Sequence, residues 1–183
     1  KSSYGKLNLE FTYSDPVSMG MDSRTFKNKY GKTQNDVDSG KAAAVALKEG
    51  VKAYKKKNGD SSTKKFDTDG DGYIDSVIMI YAENDTPSFD SDGDVFWAYR
   101  YWDLYDESNQ LLGYAPDGNV SSPIGNSYFW ASLSFFYEGT GTRNSHTGVD
   151  SHTLVHEFGH MLGADDYYNS DSDASSEVTG GKI

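Results

Sequence analysis

The chain has 183 residues, 28 acidic and 17 basic, for a net charge of -11, and it carries 14 Tyr, 9 Phe and 3 Trp. That aromatic content excludes a disordered polar chain, and the acidity argues against nucleic acid or an anionic membrane surface as a partner. No apolar run approaches the roughly 18 residues of a spanning helix, so no membrane insertion is expected, and the absence of cysteine removes disulfides and thiolate metal ligands.

The length fits one domain. Leu7, Leu9, Phe11 and Tyr13 alternate with polar residues, a period of two that predicts a strand with one buried face. Residues 14–38 are rich in Ser, Asp, Asn and Gly and read as loop, with room for a short turn of helix. Ala42 to Lys57 is an amphipathic helix with Ala44, Leu47, Val51 and Tyr54 on one face. Asp38 or Ser39 can cap it, Gly59 can end it, and Lys55 to Lys57 read as its solvated end.

Val77 to Tyr81 is a continuous β-branched apolar run, predicted as a central strand covered on both faces. Val95 to Trp102, Leu111 to Tyr114 and Tyr128 to Phe135 read as further strands. A last helix runs from about Val149 to Leu162 and closes at Gly163, and the tail 169–183 reads as irregular. Strands and helices mix without a βαβ rhythm, which predicts an α+β fold.

The last helix contains His156-Glu157-Phe158-Gly159-His160. Histidines at i and i+4 lie one above the other on a helix and can converge on one Zn²⁺. Glu157 is placed to reach a water on that metal and to act as general base. Catalytic zinc needs a third protein ligand and an open position. Gly163 permits a sharp turn, and three residues later Asp166 stands at the third-ligand position, with Asp165 the nearest competitor. In a chain of this composition, H-E-x-x-H arises by chance roughly 0.003 times, so two ordinary surface histidines are the weaker explanation.

The stretch His156 to Tyr168 resembles the active site of the immune-inhibitor-A-like zinc metallopeptidases (family M6), which are metzincin-like endopeptidases. Ser3-Tyr4-Gly5-Lys6 is similar to the family's opening strand. Phe66-Asp67-Thr68-Asp69-Gly70-Asp71-Gly72-Tyr73-Ile74-Asp75 is similar to its acidic loop, and Trp97 to Trp102 to its aromatic strand. The resemblance implies a secreted, extracellular endopeptidase acting on protein or peptide substrates. It also implies a mixed, twisted sheet with an active-site helix and zinc on His156, His160 and Asp166. A Pro is usual in the family where Asp165 stands. No Met follows Met161, so the resemblance implies a catalytic domain over 1–183 whose C-terminal Met-turn part is absent, with the remainder of its own chain as a partner.

Asp67, Asp69, Asp71 and Asp75 fit D-x-D-x-D-G-x-x-D, in which alternating carboxylates and the Tyr73 carbonyl can hold Ca²⁺. Position 12 holds Ile78 rather than Glu, so the loop is EF-like without the second helix, and its expected role is structural. Asp90, Asp92 and Asp94, and again Asp171, Asp173 and Glu177, are shorter echoes that read as solvated loops. His152 and His146 read as surface residues, and Tyr167 and Tyr168 as packing groups. A different class of function stays open: a catalytically inactive, metal-stabilised extracellular binding or adhesion module. In one form of it the Trp97 to Trp102 stretch would hold glycans.

Overall fold

The computed structural model describes residues 9–31, 39–82, 95–96, 98–101, 117–136 and 151–164. Within the first of these segments, Asp22 opens helix α1 (Ser23–Tyr30). Its carboxylate accepts from the Thr25 N–H at 2.9 Å and from Thr25 Oγ1 at 2.8 Å, which satisfies donors the first turn leaves open. The stretch expected to be mostly loop thus folds into two turns of helix. What holds it is Phe26, buried with Ala42 and Val95.

Helix α2 (Ser39–Asn58) follows the expected bounds closely and ends at Gly59, whose φ is 95° and whose N–H donates to Lys55 O at 2.7 Å. Its Ala42, Ala43, Ala44 and Leu47 are buried; the small side chains of Ala43 and Ala44 let the helix lie close on the sheet, while Ala42 packs with Phe26 and Val95. The lysines do not form one solvated end. Lys55 Nζ donates to Ser122 O at 2.9 Å, and its partial burial lowers its pKa. Lys57 pairs with Asp15. A 3-10 helix, Asp60–Phe66, comes next and is anchored by the buried Thr63, whose Oγ1 donates to Pro123 O at 2.9 Å.

Among the described residues, five short strands make two small sheets. β1 (Tyr73–Ile74) pairs in parallel with β4 (Ile124–Gly125). β2 (Val77–Tyr81) runs parallel to β5 (Tyr128–Ser132), and β3 (Tyr99–Tyr101) lies antiparallel on the other side of β5. The order β2-β5-β3 gives a mixed sheet. Helix α3 (His152–Met161) completes the described elements.

The side chains of β5 alternate between two helices. Tyr128 and Trp130 pack with Ala43, Ala44 and Leu47 of α2, and Phe129 and Ala131 pack with Leu154 and Met161 of α3. A two-residue period therefore sorts one strand onto two cores. Trp130 keeps its indole N–H satisfied on Val95 O at 3.0 Å. Among the described residues this is a three-layer arrangement, helix on sheet on helix.

Four expectations need correction here. Val77 to Tyr81 forms a strand, but in the described sheet β5 takes the centre and β2 the edge, with Ile80 53 % exposed. An apolar run signals burial but does not say which strand has neighbours on both sides. Leu9, Phe11 and Tyr13 are exposed and form no strand over 9–13. Alternation becomes a strand only where a neighbour takes up its backbone hydrogen bonds. The expected strand at 95–102 is described as a turn at Val95–Phe96 and the short β3, and that at 128–135 stops at Ser132 and tightens into a 3-10 turn, Leu133–Phe136. Leu111 to Tyr114 lies outside the described residues. No helix among the described residues is long and apolar enough to cross a membrane.

Candidate metal centre

α3 is held by Leu154 and Met161, which pack on the Phe129–Ala131 face of the sheet. Ser76 Oγ donates to Met161 Sδ at 3.5 Å, and Phe158 meets the Phe11 ring at 6.2 Å. At 3.6 residues per turn, the midline of His156 and His160 lies about 130° around the helix from that packed stripe. Packing on one side therefore turns the histidines outward: His156 is exposed and His160 half-buried. Glu157 falls between, about 80° from the histidine midline. It is buried, 8 % exposed, and is the charged member of the buried polar set Thr63, Ser132 and Glu157 among the described residues.

The two imidazoles meet edge to face, with ring centroids 4.7 Å apart at 85° and Nε2 to Nε2 at 3.2 Å. Two nitrogens at the Zn–N distance of about 2.0–2.1 Å and so separated would subtend roughly 100–106° at one ion, near the tetrahedral angle. The pair therefore fits zinc by donor type and by spacing.

The helix ends in a left-handed turn. Gly163 has φ 87°, its N–H donates to His160 O at 3.0 Å, and the Ala164 N–H donates to Gly159 O at 2.9 Å. These two bonds are the paired reverse closure of a glycine-terminated helix. The turn swings the Ala164 carbonyl back to 2.7 Å from His160 Nδ1. A carbonyl can only accept, so His160 Nδ1 is the donor in this contact, and in the neutral ring that leaves the lone pair on Nε2. Ala164 is the residue that sequence reasoning missed. The signal was Gly163 itself, read as a way for the chain to turn but not for the carbonyl the turn delivers.

The proposed third ligand, Asp166, and its competitor Asp165 lie outside the described residues, as do Tyr167, Tyr168 and His146. His152 opens α3 one turn before His156 and is exposed. In the aromatic stretch Ala98 is buried, and Phe96, just before it, stacks near Trp130 with ring centroids 6.4 Å apart. That part serves the core, and Trp97 and Trp102 are outside the described residues.

The acidic loop lies between the 3-10 helix and β1. Asp67, Asp69 and Asp71 offer carboxylate oxygens that all lie within 4.8 Å of one another. Oxygens bound to one Ca²⁺ at 2.3–2.6 Å lie at most about 5.2 Å apart, so the spacing fits. Asp67 accepts from the Gly70 N–H at 2.9 Å and from the Gly72 N–H at 3.0 Å, and Asp71 accepts from the Tyr73 N–H at 2.8 Å. Asp75 is placed apart from the three. Its carboxylate accepts from Thr68 N at 3.0 Å and Thr68 Oγ1 at 2.8 Å, closing the loop at its base. Tyr73 enters β1, beside Ile124 of β4. Gly72 has φ 87° and crosses the 117–122 loop so closely that a Cβ there would lie 2.5 Å from both Asn119 N and the Gly118 carbonyl carbon. The shorter acidic echoes at Asp90 to Asp94 and Asp171 to Glu177 lie outside the described residues.

No family model, curated protein or solved structure matches the chain. The functional reading therefore rests on the residues and their geometry.

Proposed function

We propose that the chain is the catalytic domain of a secreted, zinc-dependent endopeptidase of the immune-inhibitor-A-like kind, hydrolysing peptide bonds of proteins. The observation that carries this reading is the pairing of His156 and His160, Nε2 to Nε2 at 3.2 Å, with the buried Glu157 beside them on α3. His156, His160 and Asp166 would hold the zinc. When bound, zinc supplies a Lewis acid that polarises the scissile carbonyl and makes water a nucleophile near neutral pH.

The chain's own residues do the rest. The Glu157 carboxylate takes a proton from the attacking water and returns it to the leaving amine nitrogen. Its burial keeps bulk water from competing for that oxygen, and its place on a packed helix fixes its position relative to the histidines. The exposure of His156 leaves the histidine face open to an extended segment of substrate protein. The Asp67, Asp69 and Asp71 loop, with the Tyr73 carbonyl, takes Ca²⁺ in a structural role, bracing the approach to β1. Secretion is part of the proposal and follows from the family resemblance.

The test is hydrolysis of casein or of quenched-fluorescent peptides by the folded, zinc-loaded protein and by Glu157→Ala. The expected loss in kcat/KM is about 10²–10⁴-fold, with zinc content unchanged. Chelation should abolish the parent's activity, and zinc should restore it. A folded, zinc-loaded parent that cleaves nothing, or a Glu157→Ala protein that cleaves as fast as the parent, would overturn the proposal. The first result would leave the binding-module reading in its place.

A further inference from the structure

We infer that Gly163 and the Ala164 carbonyl form a tautomer clamp that sets His160 as its Nδ1–H form before any metal arrives, leaving Nε2 as the nitrogen that faces His156. The clamp's use for zinc rests on the reading of the histidine pair given above. The clamp itself does not.

Three observations combine. Gly163 takes a left-handed conformation, φ 87°, which L side chains adopt only under strain. That conformation permits the two reverse hydrogen bonds from Gly163 N to His160 O and from Ala164 N to Gly159 O. With both made, Ala164 O sits 2.7 Å from His160 Nδ1. The same residue, His160, is thus held twice by the turn, once through its carbonyl and once through its ring. In the neutral ring a proton on Nδ1 leaves Nε2 without one, and Nε2 lies 3.2 Å from His156 Nε2. A free imidazole in water populates both tautomers and turns about its side-chain bonds. Holding the ring and its proton together removes that choice in advance, as outer-shell partners of metal-bound histidines do, and such partners are worth about 10–100-fold in affinity. Gly163 and Ala164 are positioning residues here: neither touches the metal or the substrate.

The inference makes glycine at 163 a requirement of the site and not only of the helix end. Gly163 is exposed, and a Cβ there would meet nothing within 4 Å. Space does not demand glycine; the backbone angle does. A residue that tolerates the left-handed region should therefore rescue the clamp, whereas a β-branched one should not.

The test uses long-range ¹H–¹⁵N NMR of the histidine rings in the metal-free protein, in alkaline buffer chosen so that the ring shifts no longer change with pH. Wild type, Gly163→Asn and Gly163→Val are compared, and zinc affinity is then measured on each by competition with a chromogenic chelator. Wild type and Gly163→Asn should show His160 as the Nδ1–H tautomer. Gly163→Val should show a tautomer mixture at His160 and bind zinc about 10–100-fold more weakly. Should the valine protein not fold, as judged by far-UV circular dichroism, Gly163→Ala carries the same prediction at smaller amplitude. His160 in the Nε2–H form in metal-free wild type would overturn the clamp, as would a Gly163→Val protein with unchanged tautomer and unchanged zinc affinity. An Nδ1–H His160 in a wild type that binds no zinc would uphold the clamp and defeat the zinc reading, so the two failures are separate.

Discussion

The histidines of α3 stand four residues apart and the aspartates of the 67–71 loop two apart, yet the two groups are assembled differently. A helix brings i and i+4 together with no help from elsewhere. His156 and His160 need α3 only to exist and to present the right face, which Leu154 and Met161 ensure by packing on the sheet. The acidic loop has no such repeat to rely on. Its carboxylates converge because backbone N–H groups hold them, those of Gly70 and Gly72 on Asp67, that of Asp71 on Asp69 and that of Tyr73 on Asp71, and the backbone takes that course because Gly72 lies against Gly118 and Asn119. One site is local in origin and rests on a core; the other is tertiary in origin and rests on a contact between two loops. Changes to the core and changes to the loop crossing should therefore separate the two.

The largest separation should come from Phe129→Ala. Phe129 is fully buried on the α3 side of β5, and emptying such a site costs about 3–5 kcal/mol in urea unfolding. The rise in melting temperature on adding zinc should shrink with it, while the rise on adding Ca²⁺ persists. A loss under about 1 kcal/mol would show that α3 is not seated on this face as described. Gly72→Ala should do the opposite at somewhat smaller cost. Its Cβ would press on backbone atoms at 2.5 Å, and φ 87° strains any L residue. Overpacking and left-handed strain together suggest about 2–4 kcal/mol. Stabilisation by Ca²⁺ should be lost while stabilisation by zinc remains. An alanine protein as stable as the parent, with its Ca²⁺ response intact, would refute the loop crossing as the origin of the acidic site.

The same distinction explains what the sequence made legible. The helix Ser39–Asn58 and the helix His152–Met161 could be read almost to their ends, because the 3.6-residue period and the glycines at 59 and 163 are local signals. The strand run Val77–Tyr81 was legible as a strand but not as the edge of the described sheet, since neighbours belong to the topology and not to the run. The two-residue strands Tyr73–Ile74 and Ile124–Gly125 were not legible at all, being too short to show a period. At the sites, the spacing was enough to bring together His156 with His160 and Asp67 with Asp69 and Asp71. It was not enough to send Asp75 to Thr68 or the Ala164 carbonyl to His160. Those are consequences of turn geometry, in which backbone groups act that have no letter of their own in the sequence.

The smallest expected effect tests whether either site depends on α1. Asp22 caps that helix, and the Thr25 backbone N–H, with the Thr25 hydroxyl, holds its carboxyl below the ordinary value of 3.8. The folded value lies below the unfolded one, so in the interval between them the unfolded chain binds more protons. The cap's contribution is then whole above the unfolded value and is lost as pH falls through the folded one. Asp22→Asn keeps an oxygen that can accept from Thr25 but does not titrate. Wild type should be slightly more stable than this variant near neutral pH, and the advantage should fade in denaturant unfolding at about pH 3. Phe26 packs α1 on Ala42 and Val95, in a cluster that includes none of the side chains that form either site, so the zinc and Ca²⁺ responses of Asp22→Asn should match those of wild type. If either response fell with the cap, that site would depend on α1 as well, and the contrast between a site carried by one helix and a site carried by a loop crossing would have to be redrawn.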